Sequence, residues 1–162
     1  MAHGAKRLAE AVKGELSGEC LCGAVRYTLA DGFRLNPYAC HCTDCQTRTG
    51  SAFSQHMLFR IDDLTVEGEL DVAEYRQPSG AEASIFGCAK CKARIYAIND
   101  TREGFGSLRC GTLHNSNEVV PAAHIWVRSK QPWIALPRDA KTMDANPETA
   151  EEWVNLLGIA GQ

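Results

Sequence analysis

Three short runs of this chain crowd thiols together: Cys20-Leu21-Cys22 ahead of Gly23, Cys40-His41-Cys42-Thr43-Asp44-Cys45, and Cys88-Ala89-Lys90-Cys91. A tight turn can aim two thiolates, two or three residues apart, at one point, while its N–H groups donate to the sulfurs. Cysteine holds soft cations in this way. Zinc takes four such ligands in a closed structural site, and three plus an open position in a catalytic one. Cys20, Cys22, Cys88 and Cys91 together offer four ligands from two distant loops, and a metal held there would staple the fold. The middle run offers Cys40, Cys42 and Cys45, leaving a position for water or substrate unless another residue fills it. The same residues have rival readings, since a Cys-x-x-Cys pair is also a redox motif and three clustered thiols can form a regulatory disulfide. Cys110 stands alone, and a lone cysteine packs as a small buried hydrophobe.

The compartment decides between metal and disulfide. Met1 to Glu15 carries Lys6, Arg7, Glu10 and Lys13 among alanines, without the apolar core of a secretory signal, so a reducing, cytoplasmic setting is expected. No run approaches the roughly 20 apolar residues of a membrane helix. The net charge of −3, with no basic stripe, argues against nucleic acid or an anionic membrane as partner. With 44% hydrophobic residues in 162, the chain fits one folded domain, expected over 16–162 behind an N-terminal arm at 1–15.

The elements that must position the thiols read as mainly β. Ala24 to Leu29 alternates apolar and polar residues, as a half-buried strand does, and Asp31-Gly32 closes it. Further short strands are expected at Ala52 to Phe59, Val72 to Arg76, Ser84 to Phe86, Arg94 to Ile98, Ser107 to Leu113 and Ala123 to Val127. The turn clusters between them include Pro78-Ser79-Gly80, Asn99-Asp100 and His114-Asn115-Ser116-Asn117. Met1 to Leu16 reads as a loosely docked, partly helical lead-in, with Leu8 and Val12 on one face. Pro132 to Pro147 reads as an extended surface segment. One helix is expected at the end, where Thr149 and Glu152 make a capping-box pair and Trp153, Val154 and Leu157 share a face. Many short strands at this roughly regular spacing suggest sheets packed as a sandwich or partial barrel, followed by a C-terminal helix.

The motifs together resemble the family of glutathione-dependent formaldehyde-activating enzymes, which also includes centromere protein V. The stretches that carry the likeness are Gly18 to Tyr27, Cys40 to Cys45, Gly50 to Phe53, Phe86 to Cys91, Gly111 to Leu113 and His124 to Trp133. They fall in the family's order. The resemblance implies a mainly β fold of small stacked antiparallel sheets held by a structural zinc, with a C-terminal helix. It implies two zinc ions per chain, one structural on Cys20, Cys22, Cys88 and Cys91, the other catalytic on Cys40, Cys42 and Cys45. It also implies a carbon–sulfur lyase that joins a small thiol such as glutathione to an aldehyde, formaldehyde giving S-(hydroxymethyl)glutathione. A non-catalytic zinc scaffold is the alternative. His114 departs from the Asp that often follows Gly-Thr-Leu, and Cys110 is an addition. Around the sites, Arg48 and Arg26 are either solvated surface residues or attractors of a substrate carboxylate. His41, between two ligands, is expected to point away from the metal. His56, His114 and His124 are expected at the surface or in the core rather than as ligands, and Trp126 and Trp133 as packing.

Overall fold

A computed structural model of the chain describes residues 11–77 and 80–162. The elements run β1 (Leu16–Glu19), β2 (Arg26–Leu29), β3 (Tyr38–Cys40), α1 (Thr43–Thr49), β4 (Ser54–Arg60), β5 (Leu64–Glu67), β6 (Leu70–Arg76), β7 (Glu82–Cys88), β8 (Arg94–Asn99), β9 (Phe105–Arg109), β10 (Ala123–Ile125), β11 (Lys141–Met143) and α2 (Ala150–Leu157). The protein is mainly β. Strands β1, β2 and β5 form a small antiparallel sheet, and the others form one sheet in the order β11-β10-β3-β4-β9-β8-β7-β6. The large sheet is antiparallel from β3 to β6. At its other edge β10 runs parallel to both β3 and β11.

Period-2 alternation builds two cores on the two faces of the large sheet. Along β4, Met57 and Phe59 turn one way and join Val12, Leu16, Val25, Tyr27, Leu29 and Leu108 in the core shared with the small sheet. Leu58 turns the other way and joins Leu35, Tyr38, Ile125, Trp153 and Leu157. On β2 the alternation is complete, with Tyr27 and Leu29 buried and Arg26 and Thr28 exposed.

Helix α2 forms as its capping box requires. Thr149 Oγ1 accepts from Glu152 N–H, the Glu152 carboxylate accepts from Thr149 N–H, and the helix lays Trp153 and Leu157 into the second core. Thr149→Ala should therefore lower stability by about 1 kcal/mol, read as a small fall in the denaturation midpoint.

Several elements depart from the sequence-based expectations for local reasons. The strand expected to run through Leu113 ends at Arg109, and Cys110 to Thr112 coil into a 3-10 turn. The strand expected to reach Val127 stops at Ile125, because Trp126 takes a left-handed conformation at φ 59°. The extended tract before α2 contributes β11. Residues 1–10 of the lead-in, with Leu8, Lys6 and Arg7, and residues Pro78 and Ser79 of one expected turn lie outside the described residues. Val12 is not loosely docked: it is 1% exposed in the first core. Gly18 sits where the small sheet bridges to Leu113, and a Cβ there would meet Thr112 O and the Tyr27 hydroxyl at 2.3 Å, so only glycine permits this approach. Among the described residues no helix is long and apolar enough to cross a membrane.

Candidate metal centres

The turn after β1 and the turn after β7 bring two cysteine pairs to one place. Cys20, Cys22, Cys88 and Cys91 have sulfurs all within 4.8 Å of one another. Cys20 and Cys22 Sγ are 3.6 Å apart, and Cys22 Sγ lies 3.9 Å from Cys88 Sγ across 66 residues of chain. Zinc–sulfur bonds of about 2.3 Å in a tetrahedron give sulfur–sulfur edges of about 3.8 Å, so the spacing fits one tetrahedral ion. The two turns repeat the same device. Val25 N–H donates to Cys20 Sγ at 3.3 Å, and Cys91 N–H donates to Cys88 Sγ at 3.4 Å. Burial pushes the Cys20 thiol up, but Val25 N–H and the thiols of Cys88 and Cys22 outweigh it and bring it down to about 6. Cys20 is thus poised to carry thiolate, the form that ligates metal.

The second cluster lies on the opposite face of the large sheet. Strand β3 ends at Cys40, paired with Ser54 of β4 and Ile125 of β10, and His41 N–H continues the pairing by donating to Ile125 O at 3.0 Å. The chain then turns into α1, with Cys42 as N-cap, its Sγ accepting from Cys45 N–H at 3.3 Å. The helix contains no buried residue, so its place comes from its cap and from Gln46. Gln46 Nε2 donates to His41 O and Ser129 O at 2.7 and 2.9 Å, while its Oε1 accepts from Gln131 Nε2 at 2.7 Å. The outcome is a trio, Cys40, Cys42 and Cys45, with sulfurs within 4.8 Å of one another. Cys42 is the natural thiolate of the three. Hydrogen bonds from the Cys40 and Cys45 thiols, with backbone N–H groups adding to them, outweigh burial and hold it far down, at about 2, while Cys40 is driven far up by its bonds to Cys42 and Cys45 and by burial.

His56 of β4 stands behind Cys45, with Nε2 at 3.7 Å from Cys45 Sγ. Arg109 Nη1 donates to that Nε2 at 3.1 Å, so the neutral ring carries its proton on Nδ1 and donates it to Ser107 Oγ at 3.0 Å. Burial, then the charges of Arg109 and Arg102, holds His56 well below the usual histidine range. Tyr38 stacks on the ring at 5.3 Å between centroids. Beneath the trio, the fully buried His41 ring meets His124, Nε2 to Nδ1 at 3.0 Å, and burial followed by His124 and Lys130 lowers it to about 4. Both histidines are therefore neutral near pH 7.

The sequence profile of the glutathione-dependent formaldehyde-activating enzyme family matches residues 15–129. The chain belongs to that family. The match spans both cysteine sets, and membership associates the chain with chemistry of glutathione and formaldehyde. A solved structure of a Rhodobacter sphaeroides protein is similar at 18% identity, covering 79% of this chain and 99% of that one, with a TM-score of 0.47. No curated protein matches the sequence.

For this family member, the seven cysteines singled out in the sequence fall into the two groups expected of them, although from sequence alone the trio's surroundings were opaque. Cys110 joins neither group. It is fully buried in the first core, on the far side of the large sheet from the trio, and burial pushes its thiol up to about 12. Arg26 is exposed and pairs with Glu19 at 3.4 Å. Arg48 is half-buried, its guanidinium 3.6 Å over the Tyr75 ring. His114 is a surface residue bonded to Ser17 Oγ at 3.0 Å. Trp126 packs against the second core, as expected. Trp133 does not pack. It is 73% exposed beside a shallow hollow with Gly50, Ser51, Ala52 and Gln131, because the chain leaves the sheet after Ile125.

Sequence reading gave no role to His56, Arg94 or Arg109. Alternation from Leu58 would have aimed His56 at the trio's face. Arg94 needed knowledge of a bulge. A larger hollow of about 550 Å³, near Glu74, Glu82, Asp100 and Arg102, contains no cysteine.

Proposed function

We propose that this protein is a zinc-dependent carbon–sulfur lyase that adds a small thiol such as glutathione to an aldehyde, formaldehyde foremost. Cys20, Cys22, Cys88 and Cys91 hold a structural zinc in this reading, and Cys40, Cys42 and Cys45 a reactive one. The observation that carries it is the trio itself. Three sulfurs converge, and among the described residues no fourth cysteine stands with them, since Cys110 lies in the other core. The imidazole nitrogen 3.7 Å from Cys45 Sγ, His56 Nε2, already accepts from Arg109. A coordination position is left for a substrate sulfur.

Bound there, zinc would lower the pKa of a ligated thiol and hold the resulting thiolate beside the aldehyde carbon. The chain's own groups set the stage. Cys45 N–H stabilises negative charge on Cys42, and Ser107 and Arg109 fix the His56 ring. Gln46 and Ser129 lock the His41 carbonyl and with it the turn that carries the trio. The reaction is a simple addition. A carbon–sulfur bond forms, the carbonyl electron pair moves to oxygen, and the thiol proton ends on that oxygen. Nothing is oxidised or reduced. A reducing cytoplasm keeps such thiols available.

With both metal sites filled, the protein should speed interconversion of glutathione and its formaldehyde adduct well above the spontaneous rate in exchange NMR. A rate equal to the protein-free control rejects the proposal in favour of a non-catalytic zinc scaffold.

A further inference from the structure

Three arginines gather beside Cys45 without a carboxylate to answer them. Arg48 reaches from α1 over Tyr75 of β6, and Arg109 of β9 donates to Ser54 Oγ and His56 Nε2. Arg94 joins them through an irregularity in the sheet. Phe86 pairs with Tyr96, but its neighbour Gly87 pairs with Arg94, so Ile95 is an extra residue on β8. The bulge moves Arg94 off the face of Tyr96 and onto the face of Arg109, a re-aiming that bulges near functional sites provide. Arg26, Arg34, Arg60 and Arg76 each have an acid at 3.4, 3.6, 3.8 and 2.5 Å respectively. Arg48, Arg94 and Arg109 have none among the described residues. Arg48 Nε and Arg94 Nη1 are shielded from solvent and have no hydrogen-bond partner. Burial, then the neighbouring charges of Arg109 and Arg48, depresses Arg94, while Tyr75 and Cys45 act in the opposite sense. The like charges are thus close enough to repel, and they border the trio.

Desolvated guanidinium groups are stable when an anion supplies acceptors, and their planar fork suits a carboxylate. We infer that Arg48, Arg94 and Arg109 form an anion subsite beside Cys45, which selects thiols bearing a carboxylate and rejects neutral or cationic ones. The inference rests on the trio being the reactive site. It goes further in naming the residues that choose the thiol. The competing role for these arginines is to balance the charge of the three thiolates, which would give no preference among ligands.

The test uses the zinc-loaded full chain with S-methylglutathione and its dimethyl ester, whose capped sulfur cannot ligate as a thiolate. Calorimetric titration should show the acid binding at least tenfold more tightly than the ester. Arg94→Gln should collapse that ratio towards one, and Arg94→Lys should restore part of it. Zinc content and circular dichroism confirm folding. If Arg94→Gln does not fold, Arg48→Gln on the short surface helix answers the same question. Equal binding of acid and ester, no binding of either, or a ratio unchanged in the folded Gln variant overturns the subsite. Exchange NMR separates this from the proposed function. Catalysis of glutathione and its ester at equal rates sinks the subsite alone, whereas acid-selective binding without catalysis sinks the lyase alone.

Discussion

Cys88→Ser should unfold the domain. Cys88 is fully buried and supplies one of four sulfurs that join the turn after β1 to the turn after β7. Structural zinc sites contribute about 10–16 kcal/mol of apparent binding free energy, which equals or exceeds the whole stability of an ordinary domain. A serine in its place weakens the metal's hold and leaves a hydroxyl in the first core. Near-UV circular dichroism should be lost and no cooperative thermal transition should remain. Cys110→Ala is the control. It is as deeply buried in the same core but is not one of the gathered sulfurs, so its transition should stay cooperative. If Cys88→Ser melts like Cys110→Ala, the two turns are not stapled by metal.

Cys42→Ser should have the opposite profile: a folded protein with one zinc fewer per chain and no catalysis above the protein-free rate. Serine is a good helix N-cap, so its hydroxyl can still accept from Cys45 N–H and keep α1 in place. What it cannot supply is the thiolate that its neighbours stabilise on Cys42. Metal analysis, thermal denaturation and exchange NMR on one preparation check all three parts. Retained activity with a full metal complement would show that the trio does not hold the reactive ion.

How much of this was legible in the residues depended on how local each signal is. Strand β2 and the α2 cap announce themselves because alternation and the Thr149–Glu152 pair are complete within a few residues. The cysteine sets were legible for the same reason, each pair or trio being a short turn. Helix α1 was not. At seven residues with no buried face it lacks helical periodicity, and it exists because Cys42 caps it and Gln46 ties it down. Strand β3, Tyr-Ala-Cys, is buried on both faces and has no alternation to read. The parallel edge depends on where β10 and β11 return to, which no local pattern encodes. Arg94 is the sharpest case. Its face is decided by one unpaired residue on its strand, so simple counting from Tyr96 gives the wrong side of the sheet.

The eight-stranded sheet separates the two cysteine sets, one bordering each core. Backbone hydrogen bonding and packed side chains then stand between them, and an ion leaving one set reaches the other only by way of bulk water. Ions bound at the two sets should accordingly exchange on separate clocks. A mild chelator would strip the three-sulfur side while the four-sulfur side stays loaded, and the folded chain could be recharged repeatedly, or fitted with a spectroscopic metal such as cobalt at one position alone.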